Sequence, residues 1–147
     1  KHGLKSRVES KLDERGLVIR VLTDDLLFDS GSDVVRSEAG PLLQKVAGLL
    51  RDRQRVPNPI RVEGNTDDVP ISTAEFASNW ELSSRRATAV LQQLLTGGIE
   101  PDRLAAVGYA DQRPLASNTS VRGRSLNRRV ELVVIRRSQA NLEGGAS

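Results

Sequence analysis

Two adjacent carboxylates follow a short apolar segment near the middle of the 147-residue chain. Asp67 and Asp68 close the run Gly64-Asn65-Thr66-Asp67-Asp68, directly after a predicted strand over residues 60–63. Loops at strand ends are where α/β sheets usually bind ligands. Such a carboxylate pair can bind an ammonium group or a cation, or it can cap a turn without any ligand. Catalytic acid–base use is disfavoured, because adjacent loop carboxylates rarely converge on one substrate.

A charged residue also lies at the border of the apolar face of the strongest predicted helix, residues 79–95. On a helical wheel of about 100° per residue, Arg86 falls in line with Leu82 and Val90, whereas Arg85 lies on the opposite, solvated side. Because an unpaired buried charge is costly, Arg86 needs an anionic partner. That partner is either a ligand or an internal carboxylate, unless the guanidinium extends from the core border into water.

Three arginines, Arg124, Arg128 and Arg129, surround the start of the last predicted strand, residues 127–136. Charged side chains at this position can protect an edge strand from pairing. They can equally contact an anionic or carbonyl-rich polymer, since arginine makes bidentate contacts to carboxylate and phosphate. Residues 84–137 carry ten arginines, no lysine and four acids, so a basic surface for a nucleic acid, a membrane or an anionic polymer remains open.

The composition excludes several other kinds of site. The chain has no cysteine and a single histidine, His2, which leaves no basis for thiolate nucleophiles, disulfides, metal clusters or a Ser-His-Asp triad. Phosphate-binding glycine loops and hydrolase motifs are absent. Aromatic residues make up only 3%, which disfavours single-stranded nucleic-acid binding. We therefore predict a binding domain and not an enzyme, with no cofactor, no metal and no nucleic-acid partner.

The elements that position these residues alternate along the chain. The patterning predicts strands over residues 17–22, 60–63, 104–109 and 127–136 and helices over residues 34–52 and 79–95. Gly97 and Gly98 end the second helix. This alternation predicts an α/β (α+β) fold, a two-layer sandwich with the helices on one face of a four-stranded sheet.

The two ends of the chain have separate predicted roles. Leu4, Val8 and Leu12 are spaced by four, which predicts a narrow amphipathic linker helix within residues 1–15 that ends at Gly16. Residues 16–138 are the predicted domain, and residues 139–147 a flexible tail. The chain does not begin with methionine, so we expect a piece of a longer protein whose targeting or membrane segment precedes it.

Several short motifs occur together and in order. They are Gly64-Asn65-Thr66-Asp67, Asn79-Trp80-Glu81-Leu82-Ser83-Ser84-Arg85-Arg86-Ala87, Arg103 with Gly108-Tyr109, Pro114, and Gly123-Arg124 with Asn127-Arg128-Arg129-Val130-Glu131. On these residues the chain, from about residue 17 to residue 137, resembles the OmpA-like peptidoglycan-binding domain. The resemblance implies a βαβαββ order with a mixed four-stranded sheet, and non-covalent binding of the peptidoglycan stem peptide without hydrolysis.

The ligand group of that family is diaminopimelate, whose side chain ends in both an ammonium and a carboxylate. The resemblance implies that Asp67 binds the ammonium and that Arg86 holds the carboxylate bidentately. Motif positions implied to line the pocket are Thr66, Asn79 and Leu82, and those implied to support it or to contact glycan are Arg124 and Arg129.

Two positions depart from the family pattern. Asn65 stands where histidine is common, and Asp68 stands where asparagine is common. The Asn65 side chain can still form hydrogen bonds but cannot ionise. Asp68 adds a negative charge beside Asp67, which can strengthen ammonium binding.

The segments 27–31, 66–71 and 76–83 resemble those of one branch of the family, the MotB-type flagellar stator subunits. This likeness implies the periplasmic domain of a single-pass inner-membrane protein that forms a homodimer. It further implies a MotA-type partner, joined through a membrane segment outside this chain, and anchoring of the stator to the cell wall. The alternative is a wall-anchoring domain of an outer-membrane protein, a lipoprotein or a secretion-system component.

Overall fold

A computed structural model describes residues 8–22 and 26–136, which form one mixed sheet with helices packed against it. The strands are β1 (Val8–Asp13), β2 (Gly16–Leu22), β3 (Ile60–Asn65), β4 (Leu104–Gly108) and β5 (Arg129–Ile135). The helices are α1 (Gly40–Leu50), α2 (Asn79–Thr96) and α3 (Val121–Asn127). In these two described stretches no helix combines the length and apolar character that a membrane span requires. The first part of the predicted linker helix, residues 1–7, and the predicted tail lie outside the described residues.

The strand order in the sheet is β1-β2-β5-β3-β4. All neighbouring pairs are antiparallel except β3 and β4, which are parallel. A parallel pair needs a crossover connection, and α2 supplies it. The predicted two-layer mixed α/β fold is confirmed, but the described sheet has five strands where the sequence predicts four.

The fifth strand replaces the predicted N-terminal helix, which is wrong over the described part of that segment. β1 pairs antiparallel with β2 along its whole length, ending with Asp13 opposite Gly16. Residues four apart share a face in a strand as well as in a helix, so the spacing of Val8 and Leu12 fits both periods. Residues 14 and 15 form the turn of the hairpin, and Gly16, the first residue of β2, follows at a φ of 134°. This local geometry favours a strand over a helix.

The hydrophobic core lies between the sheet and the helices α1 and α2. It includes alternate strand residues and one stripe of each helix: Val21, Ile60, Val62, Val130, Leu132 and Val134 from the sheet and Leu43, Val46, Leu50, Ala87, Val90 and Leu94 from the helices. The alternation is that of strands with one face buried. This packing fixes α2 across β3, so the side chains on the first turns of α2 lie beside the loop that follows β3.

One face of the sheet packs against the helices α1 and α2, and the opposite face carries ion pairs. Glu63 on β3 and Glu131 on β5 are cross-strand partners, and each is only 1% exposed. Arg15 donates hydrogen bonds to both carboxylates, Arg20 donates to Glu131, and Arg61 donates to Glu63. The two buried carboxylates therefore have guanidinium partners, as buried charges require.

Arg103 is buried at the junction between α1 and β3, and its partners are neutral. Its guanidinium donates to the carbonyl oxygens of Leu50 at 2.7 Å, of Asn58 at 3.0 Å and of Val56. Burial, and then the nearby charge of Arg53, lowers the pKa of Arg103. Arg103 thus ties the carboxyl end of α1 to the segment that leads into β3.

We expect Arg103→Met to lower the free energy of unfolding by about 3 kcal/mol, because three carbonyl groups lose a donor at about 1 kcal/mol or more each. Urea denaturation measures this loss. The matched control is Arg53→Met, because the Arg53 side chain is 44% exposed and makes ion pairs with Glu100 and Asp102. Such exposed pairs contribute at most about 1 kcal/mol. Equal losses in the two variants would contradict the anchoring role of Arg103.

Candidate functional site

A cavity of about 440 Å³ opens where the loop after β3, the start of α2 and helix α3 meet. Its volume is in the range of about 300–1,000 Å³ that is usual for small-molecule sites. The structure brings six of the seven predicted site residues to its lining, namely Thr66, Asp67, Asn79, Leu82, Arg86 and Arg124. Asp68 is exposed and does not line the cavity.

Asp67 is held in place through both its backbone and its carboxylate. The Thr66 N–H donates to the carbonyl oxygen of Ala110 at 2.8 Å, and the Thr66 hydroxyl donates to the carbonyl oxygen of Asp67 at 2.7 Å. Asp67 Oδ1 accepts from the backbone N–H of Val69 at 3.0 Å, which forms an Asx turn. Asp67 Oδ2 accepts from Arg128 Nη1 at 2.7 Å. Asp67 therefore caps its own turn and also presents a charged carboxylate to the cavity.

The start of α2 is fixed by a capping box. The Ser78 side chain accepts from the Trp80 N–H at 3.1 Å and also bonds to the Glu81 carboxylate, in the S-x-x-E pattern that begins many helices. Asn79, the first helical residue, donates from Nδ2 to the carbonyl oxygen of Val69 at 3.0 Å. This bond ties the loop that carries Asp67 to the amino end of α2.

Arg86 lies two turns further along α2 and is 6% exposed. Its Nε donates to the carbonyl oxygen of Ser32 at 2.8 Å and its Nη2 to that of Asp29 at 3.2 Å, while its guanidinium carbon lies 4.8 Å from the centroid of the Phe28 ring. Among the described residues, no carboxylate bonds to Arg86. Since a guanidinium has five N–H donors, three of them, all on the two terminal nitrogens, remain for a ligand.

The electrostatics of the cavity favour an anionic group beside Arg86. Burial, and then the positive charge of Arg128, lowers the pKa of Arg86 to about 10, against smaller opposing effects of Asp33 and Asp67. Arg86 therefore stays charged at neutral pH, and no carboxylate of residues 8–22 or 26–136 pairs with it. The cavity lining contains three arginines and one aspartate, so a ligand carboxylate meets a net positive site.

Arg129, the seventh predicted site residue, does not line this cavity, and a contact between Arg129 and glycan stays a prediction. It is the first residue of β5, and its side chain lies on the opposite face of the sheet. There it donates to Glu131 at 3.3 Å and to the carbonyl oxygens of Asn127 at 3.2 Å and Arg113 at 2.8 Å. The preceding residue, Arg128, lines the cavity in its place. Consecutive side chains alternate between faces as a strand begins, which explains the exchange.

Further lining residues are Phe28, Gly31 and the loop 69–71, to which the sequence alone assigns no role in the pocket. The signal for them is present, because they belong to the segments 27–31 and 66–71 that carry the family likeness. Within the described ranges, no group of three acidic or histidine side chains is placed to hold a metal ion. What the site offers is a fixed carboxylate and a buried guanidinium, which together can bind an ammonium and a carboxylate of one ligand.

Comparison with known proteins places these features in a family context. Residues 27–128 match the model of a family described as the OmpA family. Motility protein B of Bacillus subtilis is 38% identical over 141 residues, covering 93% of this chain and 52% of that protein. The chain spans about half the length of the curated relatives it matches.

Two solved structures share the fold. The periplasmic domain of Helicobacter pylori MotB superposes with a TM-score of 0.79 at 26% identity, covering 93% of this chain and 86% of that one. The cell wall anchor of the T6SS from Pseudomonas aeruginosa superposes with a TM-score of 0.79 at 37% identity, covering 89% of each chain. Both likenesses extend over nearly the whole described domain.

Proposed function

The chain belongs to the OmpA family, and from this premise we propose that it binds peptidoglycan non-covalently, without hydrolysing it, through the cavity shared by Asp67 and Arg86. The observation that carries the proposal is the pairing, in one cavity, of a carboxylate fixed by its own turn with a buried guanidinium that has unused donors. The matching ligand group is the zwitterionic side-chain end of diaminopimelate in the stem peptide.

The ligand carboxylate binds to the terminal edge of Arg86. Carbonyl oxygens of Ser32 and Asp29 hold Nε and Nη2, so the direction of the remaining edge is set before the ligand arrives. A carboxylate on this edge accepts two parallel hydrogen bonds in the bidentate geometry that arginine favours. It also supplies the negative charge that the buried guanidinium lacks.

The ligand ammonium binds to Asp67. An ionised carboxylate offers about four lone-pair positions. Two of them are occupied, by the backbone N–H of Val69 and by Arg128 Nη1. The ligand ammonium donates to the positions that remain on the Asp67 carboxylate, beside Arg128. Asn79 contributes indirectly, because its bond to the carbonyl oxygen of Val69 keeps the turn in place.

For the cellular role, we propose the periplasmic, wall-anchoring part of a MotB-type stator subunit. The likeness to motility protein B and to the MotB periplasmic domain supports this role. This proposed role implies a single-pass inner-membrane protein that forms a homodimer and has a MotA-type partner. The second candidate is the wall-anchoring domain of a secretion-system component, an outer-membrane protein or a lipoprotein, and the 37% identity to the T6SS anchor favours the first of these three.

Co-sedimentation with purified sacculi tests the binding proposal. We expect the protein to pellet with sacculi whose stem peptides contain diaminopimelate and to stay in solution with sacculi that have lysine at that position. The reason is that lysine lacks the carboxylate that Arg86 binds. Equal pelleting with both kinds of sacculi would contradict the diaminopimelate assignment, and no pelleting with either would contradict peptidoglycan binding.

Swimming in soft agar separates the two cellular roles. We expect cells whose full-length gene encodes Arg86→Ala to swim poorly at normal protein levels, because the stator is not anchored. Cells encoding Arg85→Ala, in which the neighbouring, 65% exposed side chain is removed, serve as the control and are expected to swim normally. Normal swimming with Arg86→Ala, despite lost sacculus binding, would contradict the stator role and favour the secretion-system alternative.

A further inference from the structure

A second cavity, of about 210 Å³, lies on the face of the sheet that α1 and α2, the two long helices of the described residues, do not cover. Strands β1, β2, β3 and β5 form its floor, and the loop at residues 113–115 forms one wall. Asp67 and Arg86 are not among its lining residues, so it is separate from the cavity of the proposed function. Its volume far exceeds the roughly 10–15 Å³ that one water molecule requires.

Asn65 lines this cavity without any hydrogen-bond partner among the described residues. It is the last residue of β3 and the cross-strand partner of Arg129, and it is 3% exposed. Both its side-chain nitrogen and its side-chain oxygen are buried and unpaired. A buried amide in this state costs free energy unless a polar group enters the cavity and bonds to it.

Charge also favours a particular kind of occupant. The lining has more cations than carboxylates. The carboxylates are Glu63 and Glu131, and the cations are Lys11, Arg15, Arg20, Arg113 and Arg129. The Glu131 carboxylate accepts hydrogen bonds from Arg15, Arg20 and Arg129. Burial by itself raises the pKa of Glu131, but these three arginines lower it below its usual range. The carboxylates are thus already neutralised, and the excess charge of the lining is positive.

Arg113 is the cation best placed to receive a ligand. Its guanidinium carbon lies 4.1 Å from the centroid of the Tyr109 ring, and it forms no ion pair with a described carboxylate. Its own carbonyl oxygen accepts from Arg129 Nη2 at 2.8 Å, which holds the residue at the mouth of the cavity. An exposed, stacked and unpaired guanidinium can bind an oxyanion without first breaking a salt bridge.

We propose that this cavity binds a small oxyanion, a phosphate or a carboxylate group, with the Asn65 amide and Arg113 as its contacts. Phosphate is the better fit, because a protonated phosphate accepts from the Asn65 N–H and donates to the Asn65 oxygen. A carboxylate serves the N–H alone. The site is independent of the Asp67–Arg86 cavity and requires neither peptidoglycan binding nor a role in motility.

Titration followed by nuclear magnetic resonance tests the site, with the side-chain amide signal of Asn65 as the readout. Inorganic phosphate and acetate are the probes, added at constant ionic strength against sodium chloride. We expect a saturable shift of the Asn65 signal, with phosphate binding tighter than acetate. A tighter response to acetate would support the site and assign it to carboxylates. No saturable response to either anion would overturn the proposal and leave a cavity filled by water.

Three variants make the assignment specific. Arg113→Ala is expected to weaken the phosphate response at least tenfold, since a charged hydrogen-bond donor is lost. Arg55→Ala, which removes an arginine that is 87% exposed elsewhere on the surface, leaves the response unchanged. Arg86→Met also leaves it unchanged, which separates this site from the proposed function. A response that persists in full in Arg113→Ala would overturn the assignment.

Asn65→Leu provides a readout of stability. Replacing an unpaired buried amide by an apolar side chain is expected to leave the melting temperature unchanged or raise it in phosphate-free buffer. Phosphate then raises the melting temperature of the wild type but not of the variant. Equal stabilisation of both proteins by phosphate would count against Asn65 as a ligand contact.

Discussion

Arg86→Met is expected to weaken binding to diaminopimelate-containing sacculi by at least about thirtyfold. Truncating one partner of a buried, hydrogen-bonded charge pair costs about 2 kcal/mol or more, and about 1.4 kcal/mol corresponds to a factor of ten. In this protein the lost group is a guanidinium that is 6% exposed and pre-oriented by two carbonyl oxygens. The affinity follows from the dependence of the pelleted fraction on sacculus concentration.

Methionine keeps an unbranched apolar stem but loses the guanidinium that lies over the Phe28 ring, so the fold of the variant must be checked. Thermal unfolding followed by circular dichroism checks that the variant is folded. Arg85→Ala is the matched control, because Arg85 is the adjacent arginine on α2 and its only described contact is the exposed pair with Asp33. Binding by Arg86→Met within threefold of the control would contradict the role of Arg86.

Gly64→Ala is expected to lower the free energy of unfolding by about 3 kcal/mol or more. A Cβ atom on Gly64 would lie 2.2 Å from the carbonyl oxygen of Ser83 on α2, so the helix must move away from β3 to admit a methyl group. Inserting a methyl group into a packed core commonly costs about 1–3 kcal/mol, and displacing a whole helix raises that cost. Because α2 carries Arg86, we expect sacculus binding to fall with stability.

The matched control for Gly64→Ala is Gly48→Ala. Gly48 lies within α1, and apart from its chain neighbours and the backbone of its own helix a Cβ atom there meets nothing within 4 Å. Alanine in a helix interior stabilises by about 0.5–1 kcal/mol relative to glycine. We therefore expect opposite changes in melting temperature for the two substitutions, with a fall of about 10 °C for Gly64→Ala. A Gly64→Ala variant as stable as the wild type would show that α2 is not held against β3 as described.

The two residues of the proposed site each have a local signal in the sequence, whereas their pairing around one ligand is what the family resemblance implies. Asp67 follows a strand end, and Arg86 lies at the border of an apolar helical stripe, so both positions have a local signal. The capping box at Ser78 marks the start of α2 in the same way. Predictions from such local signals hold in the folded protein because they depend on residues that are close together in the chain.

Arg128 and Arg129 illustrate what the sequence does not determine. They are adjacent, and the face to which each side chain points depends on the residue at which β5 begins. A shift of one residue exchanges the two faces of a strand. The register is set by pairing of β5 with β2 and β3, which are distant in the chain. Hence the sequence alone does not determine that Arg128, and not Arg129, lines the cavity.

The same limit applies to β1 and to the buried glutamates. The spacing of Val8 and Leu12 fits two periods, and only pairing with β2 selects the strand. Glu63 and Glu131 look like surface charges in the sequence, but their cross-strand pairing and the reach of Arg15 bury them together. These features depend on contacts between distant segments, which composition and periodicity do not encode.

The most direct test of the account is the preference between two stem peptides that differ only in carrying diaminopimelate or lysine. The two residues share the ammonium, and only diaminopimelate has the second carboxylate. By titration calorimetry we expect the wild type to bind the diaminopimelate peptide at least about thirtyfold more tightly. We expect Arg86→Met to bind the two peptides equally, and Asp67→Asn to weaken both. An Arg86→Met variant that keeps the wild-type preference would contradict the assignment of Arg86 to the ligand carboxylate.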